Sequence, residues 1–137
     1  MLVVVVMLSI VMGLSVGRIS ATISQQRVNR AAIALSNDIE SAFSLATRDQ
    51  KPVQISFNES TMQLAVSDAI SGTVFRRTSL ANFDLQPSNV VWSRDWVRVY
   101  PVGMANDSLS ITIAATIGGR TYSQQVLMGR GGLVQIK

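Results

Sequence analysis

The stretch Leu35–Val66 reads LSNDIESAFSLATRDQKPVQISFNESTMQLAV, and the spacing of its apolar residues changes at Pro52. Before the proline, apolar or small residues recur every three to four positions, which is the period of one helix face. After it, the run Val53–Phe57 alternates apolar and polar residues, which is typical of a strand. A proline pushes the residue before it out of helical geometry, so we expect the helix to end within Asp49–Lys51. The stretch therefore predicts an α-helix followed by β structure.

The helical pattern extends upstream to the beginning of the chain. Residues 1–17 (MLVVVVMLSIVMGLSVG) carry no charge and, as a helix, would be about 25 Å long, close to the thickness of the hydrocarbon core of a bilayer. We predict one helix over residues 1–50, with 1–23 as a membrane-spanning or filament-core part and 24–50 as an amphipathic part. The predicted inner face of the helix consists of Ile19, Ile23, Ala31, Leu35, Ile39, Ala42 and Ala46.

The rest of the chain, residues 51–137, has the pattern of short antiparallel strands. Turn residues separate alternating runs, and Gly118-Gly119 and Gly131-Gly132 are typical of tight turns between strands. The predicted fold class is therefore α+β: a long N-terminal helix packed on a small antiparallel β sandwich or curled sheet. The predicted strands are Val53–Phe57, Met62–Val66, Thr73–Leu80, Asn89–Trp92, Trp96–Pro101, Ser108–Ile117, Thr121–Met128 and Leu133–Lys137.

Composition excludes several classes of function. The 137 residues include neither cysteine nor histidine, which removes disulfides, the usual nucleophile–base pairs and nearly all zinc and copper sites. The formal charge of +4 permits weak attraction to anionic partners without requiring it. We predict no enzymatic activity and no catalytic, metal or cofactor site. The eight carboxylates are scattered and are predicted to be solvated or capping groups: Asp38, Glu40, Asp49, Glu59, Asp68, Asp84, Asp95 and Asp107.

The order of these features resembles the GspH/FimT family of type IV pilin-like proteins. In that family a helix of the form L-x-x-D-h-x-x-A-h-x-x-A runs into a basic turn, then Pro-Val and a strand. Asp38, Ala42, Ala46, Pro52 and Val53 occupy those positions here. Three later segments also resemble the family: a turn and arginine-bearing strand at Gly72–Arg77, an aromatic-Pro-x-Gly turn at Tyr100–Gly103 and a closing Gly-Arg hairpin at Val126–Ile136.

The resemblance implies a pilin-like fold and a structural function. The protein would be a minor pseudopilin of a type II secretion system or a minor type IV pilin. It would assemble at or near the filament tip and serve protein secretion or pilus assembly. Its partners would be other pilin or pseudopilin subunits, bound through the N-terminal helix. Before assembly it would lie in the bacterial inner membrane as a single-pass protein with the β domain in the periplasm, cut by a prepilin peptidase, with methylation as the associated modification.

The beginning of the sequence departs from the family. The family's leader ends in Gly and continues Phe-Thr-Leu-Ile-Glu ahead of the apolar run, whereas this sequence begins just after the position of that glutamate. We therefore expect that the start is truncated or was assigned to an internal methionine. Arg18, Arg27 and Arg30 follow the apolar run, and by the positive-inside rule they would place the β domain in the cytoplasm. A basic leader upstream would restore the opposite orientation.

Two other functions stay open. DNA-uptake members of the family carry Gly-Arg-x-Arg in the closing hairpin, where this chain has Gly129-Arg130-Gly131-Gly132. A DNA-binding minor pilin would therefore rely on Arg130, with Arg120 and Lys137 supplying further charge, and so few phosphate contacts give little affinity. The alternative for this segment is a hairpin with a solvated arginine. The second open function is a single-pass anchor that carries a β domain unrelated to pili.

A stripe of small residues lies in the apolar run. Ser9, Gly13 and Gly17 would share one helix face and would let helices approach closely in lipid or in a filament core. The alternative is chance occurrence in an apolar segment that contains glycine and serine. We predict that this stripe packs against neighbouring helices.

Aromatic and arginine residues alternate at 92–100. Trp92, Arg94, Trp96, Arg98 and Tyr100 would share one face if a single strand ran through them, and such a face suits stacking on bases and neutralising phosphates. Residues 93–95, however, are Ser-Arg-Asp, which favours a turn. We therefore predict two strands with a turn between them, and both tryptophans in core or edge packing.

Overall fold

The computed structural model describes the backbone of residues 2–137 and the side chains of residues 3–12 and 21–137. One long helix is followed by eight strands and two short 3-10 helices, Leu80–Phe83 and Pro87–Asn89. The helix ends at Asp49, three residues before Pro52 and within the predicted interval. The elements are α1 (Leu2–Asp49), β1 (Val53–Asn58), β2 (Gln63–Asp68), β3 (Val74–Ser79), β4 (Val90–Trp92), β5 (Trp96–Val99), β6 (Leu109–Ile117), β7 (Arg120–Met128) and β8 (Val134–Ile136).

The strands form two antiparallel sheets of four strands each. The first sheet has the order β3-β2-β1-β5, and the second sheet has the order β4-β6-β7-β8. The turn between β6 and β7 uses Gly118 and Gly119 with φ of 59° and 77°, the left-handed backbone that a two-residue hairpin turn of this type requires. The α+β fold class, with an N-terminal helix packed on antiparallel sheets, is confirmed.

One face of α1 supplies the centre of the core between the two sheets. The helix contacts β6, β7 and β8 of the second sheet and β1 and β3 of the first. Four of its buried residues are alanines, whose small side chains let the strands lie close to the helix. The fully or almost fully buried apolar residues of α1 are Val28, Ala31, Ala32, Leu35, Ile39, Ala42 and Ala46.

The predicted helix face is wrong at its upstream end. Ile23 is 44% exposed, because the first helix residues that pack on the β domain are Ser24 and Val28. The side chain of Ile19 lies outside the described residues. The five downstream members of the predicted face, from Ala31 to Ala46, are all buried.

The prediction that every carboxylate is a solvated or capping group is wrong for Asp38. Its side chain is 0% exposed, and its Oδ1 lies 2.6 Å from Nε of Arg76 on β3. The Nε–H bond of Arg76 does not point straight at Oδ1, so the contact is an ion pair rather than a hydrogen bond. The attraction between the two opposite charges offsets the cost of burying the carboxylate. Arg76 lies directly opposite the buried Val66 in the pairing of β3 with β2 and therefore shares its inward face. The signal was present in the sequence, since position 38 is three residues after Leu35 and four before Ala42 and so shares their face.

We predict that Leu35→Asp unfolds the β domain at lower urea concentrations in a fragment that starts at Ser24, which we expect to be soluble and monomeric. Leu35 is 0% exposed, and an unpaired carboxylate there should lower the free energy of unfolding by about 3–5 kcal/mol. Ile33→Asp is the matched control, because Ile33 is 45% exposed on the same helix and should change stability by less than about 1 kcal/mol. Equal losses in the two variants would show that the helix face has been assigned incorrectly.

Candidate functional site

The most unusual surface of the chain is the helix segment Val3–Met12, the apolar segment. All of its large apolar side chains are exposed, with exposed fractions of 49–68%. The single polar side chain within it, Ser9, donates its hydroxyl hydrogen to the carbonyl of Val5 at 2.6 Å. That hydroxyl is therefore satisfied within the helix, and the apolar segment presents almost no unmet polar group to a partner or to lipid.

An all-round apolar helix is stable when its surface is covered by lipid or by other apolar helices. The large apolar side chains of the apolar segment stay about half or more exposed, whereas one face of the helix from Ser24 onward is buried. The predicted packing stripe begins in it at Ser9, while the surroundings of Gly13 and Gly17 lie outside what the structure describes. The stripe therefore stays a prediction.

Within the described part of the chain, no helical stretch is both long and apolar enough to cross a membrane. The assignment of residues 1–23 as membrane-spanning thus stays a prediction.

The three cations proposed for DNA are not brought together. Arg120 begins β7 and Gly129 follows the end of that strand, about 30 Å away at 3.4 Å per residue. Lys137 pairs with Gln125 in the middle of β7, about 13 Å along the strand from Gly129. Each cation therefore reaches a different part of the second sheet.

Arg130 lies beside a carboxylate. Its guanidinium is 3.7 Å from Oδ1 of Asp107, whose Oδ2 is 2.8 Å from Nη2 of Arg94. The side chain of Arg130 is still 67% exposed, so the contact at 3.7 Å is a weak one. The carboxylate offsets part of the positive charge that a phosphate would meet at this hairpin.

The structure also explains the glycine at position 132, where the resemblance would place a second arginine. Gly132 has a φ of 82°, and a Cβ built on it would lie 3.0 Å from ring carbons of Phe43 on α1. A side chain at this position would be strained and would also press on the helix. The close approach of this turn to α1 therefore favours glycine at position 132.

The aromatic and arginine residues at 92–100 do not form one stripe. β4 ends at Trp92 in the second sheet, and β5 begins at Trp96 in the first. The turn between them is the predicted one. Trp92 stacks on Phe57 with ring centroids 4.6 Å apart, which joins the two sheets, whereas Trp96 is 47% exposed on an edge strand with the Arg98 guanidinium 5.6 Å from its ring centroid.

Comparison with known proteins identifies the fold. Two crystal forms of FimU, a type IV minor pilin of Pseudomonas aeruginosa (strain PAO1), share this architecture. One superposes with a TM-score of 0.63 at 14% identity, covering 82% of this chain and 89% of FimU. The other gives 0.61 at 16% identity, covering 80% and 91%. No protein-family model and no curated protein sequence matches the chain. The chain thus has the pilin-like fold of FimU.

We predict that Gly132→Ala weakens the attachment of the closing hairpin to α1. The positive φ and the contact with Phe43 should together lower the free energy of unfolding by about 1–3 kcal/mol. Gly131→Ala is the matched control, because it has no positive φ and a Cβ there meets nothing within 4 Å. Thermal or urea unfolding measures both variants. A control variant as destabilised as Gly132→Ala would contradict the explanation.

Proposed function

We propose that the protein is a structural minor pilin or minor pseudopilin of the GspH/FimT type, a subunit of a pilus or pseudopilus. The observation that carries the proposal is the exposed apolar segment Val3–Met12, continuous with the helix of a domain whose fold is that of FimU. Such a segment needs an apolar environment that the chain's own domain does not supply. Neighbouring subunits supply it in a filament, and lipid supplies it before assembly.

Transfer from lipid to a filament keeps most of the hydrophobic burial, because an apolar helix is covered in both places. What distinguishes the two environments is close packing of helix on helix, which small residues favour. Ser9, Gly13 and Gly17 are the residues proposed for that contact. One face of the helix from Val28 to Ala46 is already covered by its own domain, and the exposed apolar part before it is the part that we propose for subunit contacts.

The proposed setting follows from this function. The precursor would be held in the bacterial inner membrane with its β domain in the periplasm, processed by a prepilin peptidase and then placed at or near the filament tip. Type II secretion and type IV pilus assembly both use subunits of this design. The fold of FimU, named as a type IV minor pilin, supports the pilus.

We predict that Gly17→Leu separates membrane insertion from assembly. Leucine is favourable in lipid, so the variant should reach the membrane in normal amounts. The larger side chain should block close helix approach and reduce the subunit in sheared filaments at least about tenfold. Met12→Leu is the control, since it nearly conserves volume and lies outside the small-residue stripe. Normal amounts of the Gly17→Leu variant in sheared filaments would show that the small-residue stripe is not part of the assembly contact.

We also predict weak binding of duplex DNA, which distinguishes the structural role from a DNA receptor. Arg130, Arg120 and Lys137 are far apart along the second sheet, so each phosphate contact would form without the others. The salt dependence of labelled-DNA binding should have a slope of about −1 to −2. Arg130→Ala should change affinity less than about threefold. Tight binding at physiological salt, with a steep slope and loss in Arg130→Ala, would assign the closing hairpin to DNA instead.

A further inference from the structure

We propose that the protein carries a binding site for a neutral oligosaccharide on the outer side of the first sheet, centred on Trp96. The site is a recess of about 210 Å³ beside the β4–β5 turn, which we call the Trp96 recess. It lies on the β domain, away from the apolar segment, and so is independent of the proposed assembly contacts. Its lining residues are Arg94, Asp95, Trp96, Asn106 and Asp107.

The walls of the recess are held in place by hydrogen bonds. Asn106 flanks the edge of β5: its backbone N–H donates to the carbonyl of Arg98 at 2.9 Å, and its Oδ1 accepts from the Arg98 backbone N–H at 2.8 Å. On the other side, the carbonyl of Asp95 accepts from the backbone N–H of Phe57 at 3.1 Å. A preformed recess loses little conformational freedom when a ligand binds.

Asp107 is a further lining residue of the recess that is held in place by its contacts. Its Oδ1 accepts from the backbone N–H of Ser108 at 2.8 Å, and its Oδ2 lies 2.8 Å from Nη2 of Arg94. These contacts hold the two side chains, which both line the recess, against each other. They leave further N–H groups of the Arg94 guanidinium able to donate to a ligand.

Hydrogen-bonding groups in the recess are left open. Among the described residues, no partner contacts the carboxylate of Asp95, the Nδ2 of Asn106 or the indole N–H of Trp96. The first is an acceptor and the other two are donors. Sugar hydroxyls both donate and accept, and neighbouring hydroxyls on a ring present such pairs side by side.

Trp96 supplies the apolar part of the site. Its side chain keeps nearly half of its surface exposed, 47%, although the Arg98 guanidinium lies over the ring. Trp92 is instead stacked on Phe57 and joins the two sheets. An exposed indole flanked by polar side chains matches a pyranose ring, which has C–H groups on its faces and hydroxyls around its rim.

The charges of the recess favour a neutral ligand. A cation entering it would meet the guanidinium groups of Arg94 and Arg98. An anion would meet the carboxylates of Asp95 and Asp107. A neutral molecule with many hydroxyls avoids both repulsions and uses both kinds of group as hydrogen-bond partners.

A longer groove adjoins the recess and makes room for more than one sugar ring. Asp95 lines both hollows, and the groove has a volume of about 680 Å³. Ser56 lies directly opposite Trp96 in the pairing of β1 with β5, so the two hollows meet on the same face of the first sheet. The neutral hydrogen-bonding residues that line the groove are Ser56, Asn58, Ser60, Thr61 and Gln63, with Glu59 and Arg77 as its additional charged residues.

The test uses the full chain in a detergent without a sugar head group. Maltotriose, cellotriose and chitotriose are titrated, with saturation-transfer NMR of the sugar and tryptophan emission as readouts. We expect saturable binding of at least one trisaccharide and a shift in emission on binding. Trp96→Ala should weaken binding at least about tenfold, and Asp95→Ala about threefold or more.

Phe75→Ala is the matched control, because Phe75 is an aromatic residue with 45% exposure on the opposite edge strand of the first sheet. The Phe75→Ala variant should bind the trisaccharide with the same affinity as the unaltered protein. Trigalacturonate and the glucosamine trimer of chitosan test the charge argument and should bind more weakly than the neutral sugar. The proposal is overturned by absent binding of all three neutral sugars, by undiminished binding in Trp96→Ala, or by tighter binding of either charged trisaccharide. Equal losses in Phe75→Ala and Trp96→Ala would also overturn it, since the loss would then not be specific to the recess.

Discussion

Burial of one face of α1 between Val28 and Ala46 is the contact on which the rest of the fold depends. Buried residues of this helix face and of both four-stranded sheets form one hydrophobic cluster. Two additional contacts determine how the sheets are attached. Asp38 pairs with Arg76 on the edge of the first sheet, and Gly132 lets the closing hairpin of the second approach Phe43. A change on this face therefore affects both sheets at once.

The described parts of the same helix differ in how far the β domain covers them, which leaves room for the second use proposed above. The apolar segment Val3–Met12 is exposed, whereas the helix becomes buried on one side from Ser24 onward. Folding and the proposed assembly contacts therefore involve different residues of one continuous element. A domain of this design can fold before its apolar segment is covered, since Val3–Met12 lie outside the hydrophobic core.

The surface of the β domain distributes its charges in two distinct ways. Along the second sheet, Arg120, Lys137 and Arg130 are far apart, which suits solvation better than binding of a polyanion. Around the β4–β5 turn, cations and carboxylates alternate at close range beside an exposed indole. The first arrangement is consistent with a filament subunit that does not depend on DNA. The second is a compact polar hollow whose charges nearly cancel, and it is the feature of this domain best suited to a small ligand.

Local periodicity in the sequence was enough to determine the long helix, its end before Pro52 and the eight strands. It also identified the apolar run at the N-terminus. These features could be predicted because helix and strand periods depend only on neighbouring residues. It also predicted the turn that separates Trp92 from Trp96. Local periodicity could not predict contacts between residues that are distant in the chain. These contacts are the pairing of Asp38 with Arg76, the approach of Phe43 to Gly132, and the proximity of Trp96 to Asn106 and Asp107. Each of these joins elements far apart in the chain, and their proximity follows from sheet order and from the packing of α1. Periodicity predicted most of the inward helix positions, except Ile23 and Asp38, and only the tertiary structure decided which residues meet.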